Sequence, residues 1–471
     1  MIVKDLRQLK GNMFLPKIIS GGMGVNTSCP DLARPISMYS RPGRETLGTI
    51  SGTALEIVMA RMLKIGGKYT DAIRGALDDF PFKEVSERVI REYSGKLNRG
   101  IPVFSVNPSR LLCELTICAN FAFVRMAKKG HDCPISINYL EKISMPHLFA
   151  IFGAMLAGVD FITMGAGIPD KIPAVIEAYS TGNPATYKIP VIGEKEGYQM
   201  SFNPAEFFGK EIPQLKKPGF IPIIASNVLG IALKRAIPRG GIYGFVIEEP
   251  TAGGHNAPPR NKVDYGEKDI VDYHRIAELG LPFWIAGSYA SPEKLAWAQS
   301  VGASGIQAGS IFALSRESGM QESIRKEIIK RAFNKNLSVR TDMRISPTGF
   351  PFKVVEIENT ISNRDVYESR ERVCDKGALV VLYRKPDGSI GYRCPSEPVE
   401  AYLKKGGKLE DTVGRGCICN GLLVKAGMQL EGENEPAVIT LGDDISFLSH
   451  LIQNEDDSYS ATDALNYLFG V

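Results

Sequence analysis

Between residues 16 and 310 the sequence keeps repeating one unit: a short β-branched or apolar run, a glycine-bearing turn, then a longer segment with helical patterning. The runs are PKIIS (16–20), TLGTIS (46–51), CPISINY (133–139), VDFITMG (159–165), GFIPIIAS (219–226), YGFVIEE (243–249), LPFWIAG (281–287) and SGIQAGS (304–310). Between them lie amphipathic or apolar stretches such as ALEIVMARML, PHLFAIFGAMLAG, PDKIPAVIEAYS, KDIVDYHRIAELG and SPEKLAWAQSVG. Strand–helix–strand alternation demands parallel pairing, because the helix carries the chain back to the start of the next strand. Eight such units predict an α/β fold, a (β/α)8 barrel with insertions. An open, doubly wound sheet satisfies the same periodicity and stays open as an alternative.

Two long insertions interrupt the repeat. Residues 65–130 carry helical material and a strand-like piece, IPVFSVN (101–107). Residues 180–218 are rich in Gly, Pro and Lys and are expected to run over the barrel mouth, as long loops inside compact domains often form lids. Beyond about residue 335 the alternation stops. The chain is therefore read as a barrel over 1–335 and a smaller, cysteine-containing C-terminal module over 336–471, ending in a short helix, SATDALNYLFG.

Composition narrows the function classes. With 56 basic and 52 acidic residues the formal net charge is only +4, and no Lys/Arg run stands out, so charge gives no support to nucleic-acid or membrane-surface binding. No apolar run approaches the ~20 residues of a membrane span. The N-terminal MIVKDLRQLKGNMFLPKIIS lacks a secretory pattern, and eight cysteines are too sparse for a disulfide scaffold, so a cytoplasmic protein is expected.

In a (β/α)8 barrel the chemistry sits where strands end. Here the ends are Ser20-Gly21-Gly22-Met23-Gly24, Asn138, Gly165-Ala166-Gly167, Ala225-Ser226-Asn227, Gly253-Gly254-His255, Gly287-Ser288 and Gln307-Ala308-Gly309-Ser310. Glycine lets backbone N–H groups come close to a ligand, and the loops after the last two strands of this fold recurrently hold a phosphate. Gly287 and Gly309-Ser310 stand in those places.

The stretches IISGGMGVNTSCPDLARPIS, VIEEPTAGGH and FWIAGSYASPEKLAWAQSVGASGIQAGSIFAL together resemble the nitronate monooxygenase (2-nitropropane dioxygenase-like) flavoproteins, in order and spacing, over residues 16 to about 320. The resemblance implies a TIM barrel that binds FMN without a covalent link. It implies that Gly22 and Met23 lie against the flavin ring, that Asn138 hydrogen-bonds it, and that Gly253, Gly254 and Gly287 let backbone approach it. Gln307, Ala308, Gly309 and Ser310 would bind its phosphate. His255 matches the histidine of the family's Ala-Gly-Gly-His motif and would face the substrate as base or anion-stabilising group. Three positions depart from the family pattern: Glu248 stands where Gln is usual and is placed here beside the cofactor, Thr251 where Glu is common, and Ala257 where Gly is frequent.

Other residues carry weaker signals. Glu141-Lys142 either reach the mouth or form a solvated pair, whereas His147 reads as helix-start structure, and His131, His274 and His450 have no motif around them. Cys374, Cys394, Cys417 and Cys419 either ligate a structural zinc or iron–sulfur cluster or are ordinary thiols; they lack paired Cys-x-x-Cys knuckles. The expected activity is FMN-dependent oxidation of an alkyl nitronate by O2 to a carbonyl compound and nitrite, with a small-molecule substrate as partner. Two other readings stand beside it: an NAD(P)H-dependent reductase of enoyl thioesters or quinones on the same fold, and a flavin-bearing scaffold acting through its C-terminal module. The sequence leaves the oligomeric state open.

Overall fold

Each of the eight apolar runs becomes a strand. A computed structural model of the chain describes residues 13–95, 101, 103–261, 263–430 and 432–471. Most of the stretch inspected for a secretory signal lies outside the described residues. The strands are β1 (Ile18–Ser20), β2 (Thr46–Ser51), β3 (Ile135–Leu140), β4 (Phe161–Gly165), β5 (Gly219–Ile224), β6 (Phe245–Glu248), β7 (Phe283–Ala286) and β8 (Gly305–Ala308). They pair in parallel, each with its sequence neighbours, and β1 pairs with both β2 and β8. That last pairing closes the barrel and removes the open-sheet alternative.

The strands read as nearly continuous apolar runs because both faces are covered. In β7, Phe283 and Ile285 point outward into the cluster beneath the helices, while Trp284 and Ala286 point inward with Ile19, Leu47, Phe161, Ile221 and Val246. Trp284 is fully buried, and its Nε1–H donates to the Pro16 carbonyl at 2.6 Å, which satisfies the one polar atom of the ring. Trp284→Ala is expected to lower unfolding free energy by about 3–5 kcal/mol. Urea titration checks this; a loss under about 1 kcal/mol would mean that the barrel floor repacks around the hole.

The insertions differ from their sequence reading. No described residue of 101–107 is in a strand; this segment is irregular and precedes the long helix Arg110–Ala127, most of whose residues are buried. Residues 180–218 form no cover over the mouth. They fold into an antiparallel pair, Ala185–Ile189 with Tyr198–Phe202, and a short helix, Pro204–Phe208. The topology gives the reason: this segment links a helix end to the start of β5, away from the strand ends that form the mouth. Tyr187, Met200 and Phe202 pack into the same apolar cluster as residues of the helices His147–Leu156 and Ile172–Ser180.

The chain beyond 335 folds back on the barrel. Strands Val339–Asp342 and Phe352–Val355 pair antiparallel, and His255 of the loop after β6 bridges to Phe352. Strand Val381–Arg384 pairs with Ile390–Arg393 and, in parallel, with Val191–Ile192 of the second insertion. The last helix, Ala461–Phe469, closes against the first helical segment, with Tyr39 OH donating to Asn466 Oδ1 at 2.8 Å and the Tyr39 and Phe469 rings stacked.

Candidate active site

The turn after β1 is built by the sequence GGMGVNTS. Ser28 closes it: its hydroxyl donates to the Gly21 carbonyl at 2.7 Å and accepts from Met23 N–H at 3.0 Å. Across the mouth, Asn138 at the end of β3 donates from Nδ2 to the Gly22 carbonyl at 3.0 Å, and its Oδ1 accepts from Thr163 at 2.8 Å. A Cβ on Gly22 would stand 2.0 Å from Asn138 Cβ, so the glycine is what lets the two strand ends meet.

These groups line one cavity of about 220 Å3 at the C-terminal ends of the strands. Gly22, Met23, Asn138, Glu248, Gly253, Gly254, His255, Gly287, Gln307, Ala308, Gly309 and Ser310 all border it. The tertiary fold thus brings twelve residues chosen from five separate strand ends to one place. At the ends of β7 and β8, the backbone N–H groups of Ser288, Gly309 and Ser310 have no acceptor among the described residues. Three unused donors beside two serine hydroxyls suit an anionic group of the ligand.

The cavity is completed by the C-terminal part of the chain, and no local signal in the sequence identified those residues. Phe352, Leu379, Ile418, Cys419, Leu422, Leu423, Lys425 and Phe447 supply a mostly apolar wall. The segment 440–444 straps across the ends of three strands. Thr440 Oγ1 accepts from Gly254 N–H at 2.7 Å, Gly442 N–H donates to Ser310 Oγ at 2.8 Å, and Asp444 N–H donates to Ser288 Oγ at 3.3 Å. Ion pairs anchor it, Asp443 with Lys353 and Asp444 with Lys294, each at 2.6 Å. A Cβ on Gly253 would meet the Leu441 carbonyl carbon at 2.8 Å, so this strap is the structural reason for glycine there.

His255 is held from the same direction. Its Nε2 is 2.7 Å from Ser346 Oγ, and its ring packs edge-on against Phe352. Burial, helped by the nearby positive charge of Lys142, lowers its pKa to about 4. The imidazole is therefore neutral at pH 7, the form that the base role uses. The folded pKa lies below the usual 6.5, so stability from the neutral ring is present above pH 6.5 and is lost as pH falls toward about 4.

Glu248 ends β6, opposite Ala286 of β7, and burial is what governs its carboxyl. Burial pushes its carboxyl up to about 8, so at pH 7 it is a neutral O–H donor. A protonated glutamic acid presents a donor and an acceptor on the same frame as glutamine, which removes much of the chemical distance from the family's usual residue. With the folded pKa above the model-peptide value of 4.5, this stability is fully present below pH 4.5 and is lost as pH rises through about 8. Ligand affinity measured from about pH 6 to about pH 10 is expected to fall on the alkaline side with an inflection near 8, and Glu248→Gln should remove that inflection. An unchanged profile in the variant would assign the inflection to another group.

The remaining candidates lie elsewhere. Glu141 accepts from Tyr187 OH at 3.4 Å and Lys142 Nζ sits 4.3 Å over the Phe350 ring, neither of them on the cavity wall. His147 is buried, with Nε2 3.2 Å from the Glu141 carbonyl, as a structural helix-start residue.

The four C-terminal cysteines do not assemble into the metal site suggested by their clustering in sequence. Among the described residues no group of three or more His, Cys, Asp or Glu could hold an ion, and all four thiols are free. Cys417 is the N-cap residue of the helix Ile418–Lys425 and Cys419 lies in its first turn, and it is chiefly burial that raises the pKa of both thiols. Cys417 Sγ accepts from Asn420 Nδ2 at 3.4 Å, the Cys374 and Cys394 thiols share a hydrogen bond, and of the four only Cys419 borders the cavity.

No protein-family model matches the sequence, and no curated protein matches it. Among solved structures the chain is similar to FabK from Thermotoga maritima, at 16% identity and a TM-score of 0.47, over 100% of this chain and 94% of that one. It is also similar to the nitroalkane oxidase from Streptomyces ansochromogenes, at 12% identity and a TM-score of 0.44, over 98% and 96% of the two chains. A third is the enoyl reductase domain of MlnA from the macrolactin biosynthesis cluster of Bacillus amyloliquefaciens, at 11% identity and a TM-score of 0.46, over 99% and 96%. The strand pairing by itself makes the chain a (β/α)8 barrel whose mouth holds a glycine-rimmed cavity. No helix among the described residues is long and apolar enough to cross a membrane.

Proposed function

We propose that the chain is an FMN-dependent oxidoreductase of the nitronate monooxygenase type, oxidising an alkyl nitronate with O2 to a carbonyl compound and nitrite. The observation that supports it best is the convergence of the motif residues from β1, β3, β6, β7 and β8 on one cavity at the catalytic end of the barrel. The cavity also fits FMN chemically. Unused N–H groups of Ser288, Gly309 and Ser310 match a phosphate, and the apolar surfaces of Met23, Ala286 and Leu423 match an aromatic ring.

Bound FMN would supply the electron transfer. The chain's own residues would do the rest. Asn138, fixed by Gly22 and Thr163, holds the β1 turn in position. Glu248 offers a neutral donor, and His255, oriented by Ser346, offers a neutral imidazole as base to a carbon acid. The apolar C-terminal wall keeps water from the reacting centre.

That wall also favours the second reading, reduction of an enoyl thioester or a quinone by NAD(P)H, because it could cover an apolar chain. One anaerobic experiment separates the two. Purified protein reconstituted with FMN is mixed with an alkyl nitronate or with NADH while absorbance near 450 nm, about the position of any oxidised flavin band, is followed. Bleaching by the nitronate supports the oxygenase; bleaching by NADH alone selects the reductase. Failure to retain FMN would remove both.

A further inference from the structure

Lys425 is the last residue of the helix Ile418–Lys425 and is only 1% exposed, yet it borders the cavity. Its Nζ donates to the Gly24 carbonyl at 2.9 Å and to Thr27 Oγ1 at 2.5 Å. Both acceptors belong to the turn after β1. An ammonium has three donors, so one remains for an acceptor in the cavity. Gln321 holds the helix end from outside, its N–H on the Lys425 carbonyl at 2.9 Å and its Nε2 on the Val424 carbonyl at 2.5 Å.

Among the described residues Lys425 has no counter-charge. The cavity's other lysine, Lys376, is paired with Asp375 at 2.5 Å and with Glu433 at 2.6 Å. The one aspartate on the wall, Asp444, is taken by Lys294. Glu248 and His255 are neutral at pH 7, and Lys425 feels burial with no offsetting carboxylate, which brings its pKa down to about 7. A buried cation without a partner is unfavourable in the empty protein and becomes favourable once an anion arrives. Lys425 reaches the β1 turn on the side of Gly24 and Thr27, next to the β8 end, where Gly21 N–H donates to the Ala308 carbonyl at 2.7 Å.

We propose that Lys425 is a charge-stabilising residue of the cofactor cavity: its ammonium, held by Gly24 and Thr27, faces the ring carried by the β1 turn and favours negative charge on that ring. This rests on the flavin reading above. It assigns to a helix of the C-terminal part, outside the resembling segment, control over how readily the bound ring accepts electrons or a nucleophilic anion. Coulombic attraction at short range in a low-dielectric cavity is the physical basis.

The test uses the full chain loaded with FMN and compares wild type, Lys425→Met and Lys425→Arg. Methionine keeps the volume and removes the charge together with the two hydrogen bonds to the β1 turn; Lys425→Gln serves if the methionine variant does not fold. FMN retention, the flavin midpoint potential and the affinity for sulfite, an anion that adds to electron-poor flavins, are measured on each.

The expected result is FMN bound in all three, with sulfite binding weakened about tenfold or more and the potential lowered in Lys425→Met but not in Lys425→Arg. Tenfold corresponds to about 30 mV for a two-electron couple. A folded Lys425→Met that loses FMN while Lys425→Arg keeps it also supports the proposal. Wild-type sulfite affinity and potential in Lys425→Met, or equal loss in both variants, would overturn it while leaving the flavin reading intact. Wild-type protein that binds no FMN would overturn the flavin reading, and the role of Lys425 with it.

Discussion

Replacing His255 with alanine is expected to lower turnover by about two to four orders of magnitude while FMN stays bound, the range typical for loss of a positioned acid–base group. The geometry sets this expectation. The ring borders the cavity, Ser346 and Phe352 fix its orientation, and burial keeps it neutral across the physiological range. Because its pKa is near 4, the rate should show no inflection near 6.5, the ordinary histidine value. Stopped-flow flavin reduction across pH, with wild type beside His255→Ala, checks both parts. A variant with full rate would reduce His255 to a structural link between the β6 loop and strand Phe352–Val355. Ser346→Ala separates the roles further, since it frees the ring without removing it and should cost less than the alanine at 255.

The second large effect concerns the cradle. A Cβ on Gly309 would meet only Met23, with Sδ at 3.6 Å, an ordinary contact. Gly309→Ala should therefore bind FMN nearly as wild type does. Gly309→Trp would send an indole toward the space the ligand needs, and FMN affinity is expected to fall at least about 100-fold, or roughly 2.7 kcal/mol. Fluorescence quenching on titration with FMN measures the difference between the two substitutions. Equal affinities in Gly309→Trp and wild type would place the cofactor elsewhere on the barrel. Unlike the histidine substitution, this one tests binding and not rate, so the two outcomes are independent.

The strap 440–444 alters how the glycine motif is understood. At the sequence level Gly253 stands for backbone room beside a cofactor. In the folded chain that room faces Leu441 and Gly442, and the Gly254 N–H is spent on Thr440. The glycines of the β6 loop thus serve the docking of the C-terminal segment, which then completes the cavity that His255 borders.

The sequence by itself determined the eight strand–helix units, and the β1–β8 pairing of the folded chain decided that they close into a barrel. Its eight strands fall on the eight apolar runs because strand–helix alternation is a local pattern, readable within a few residues of each element. It also determined the rim, since strand ends in this architecture converge whatever lies between them. The tertiary structure alone decided what closes the cavity and how its groups ionise. Lys425 meets Gly24 across 401 positions, and Thr440 meets Gly254 across 186, distances over which no periodicity connects one residue to another. The neutral states of Glu248 and His255 arise from burial, a property of packing and not of residue type. The four cysteines form no metal-holding group among the described residues, a result of packing that their closeness in sequence did not reveal.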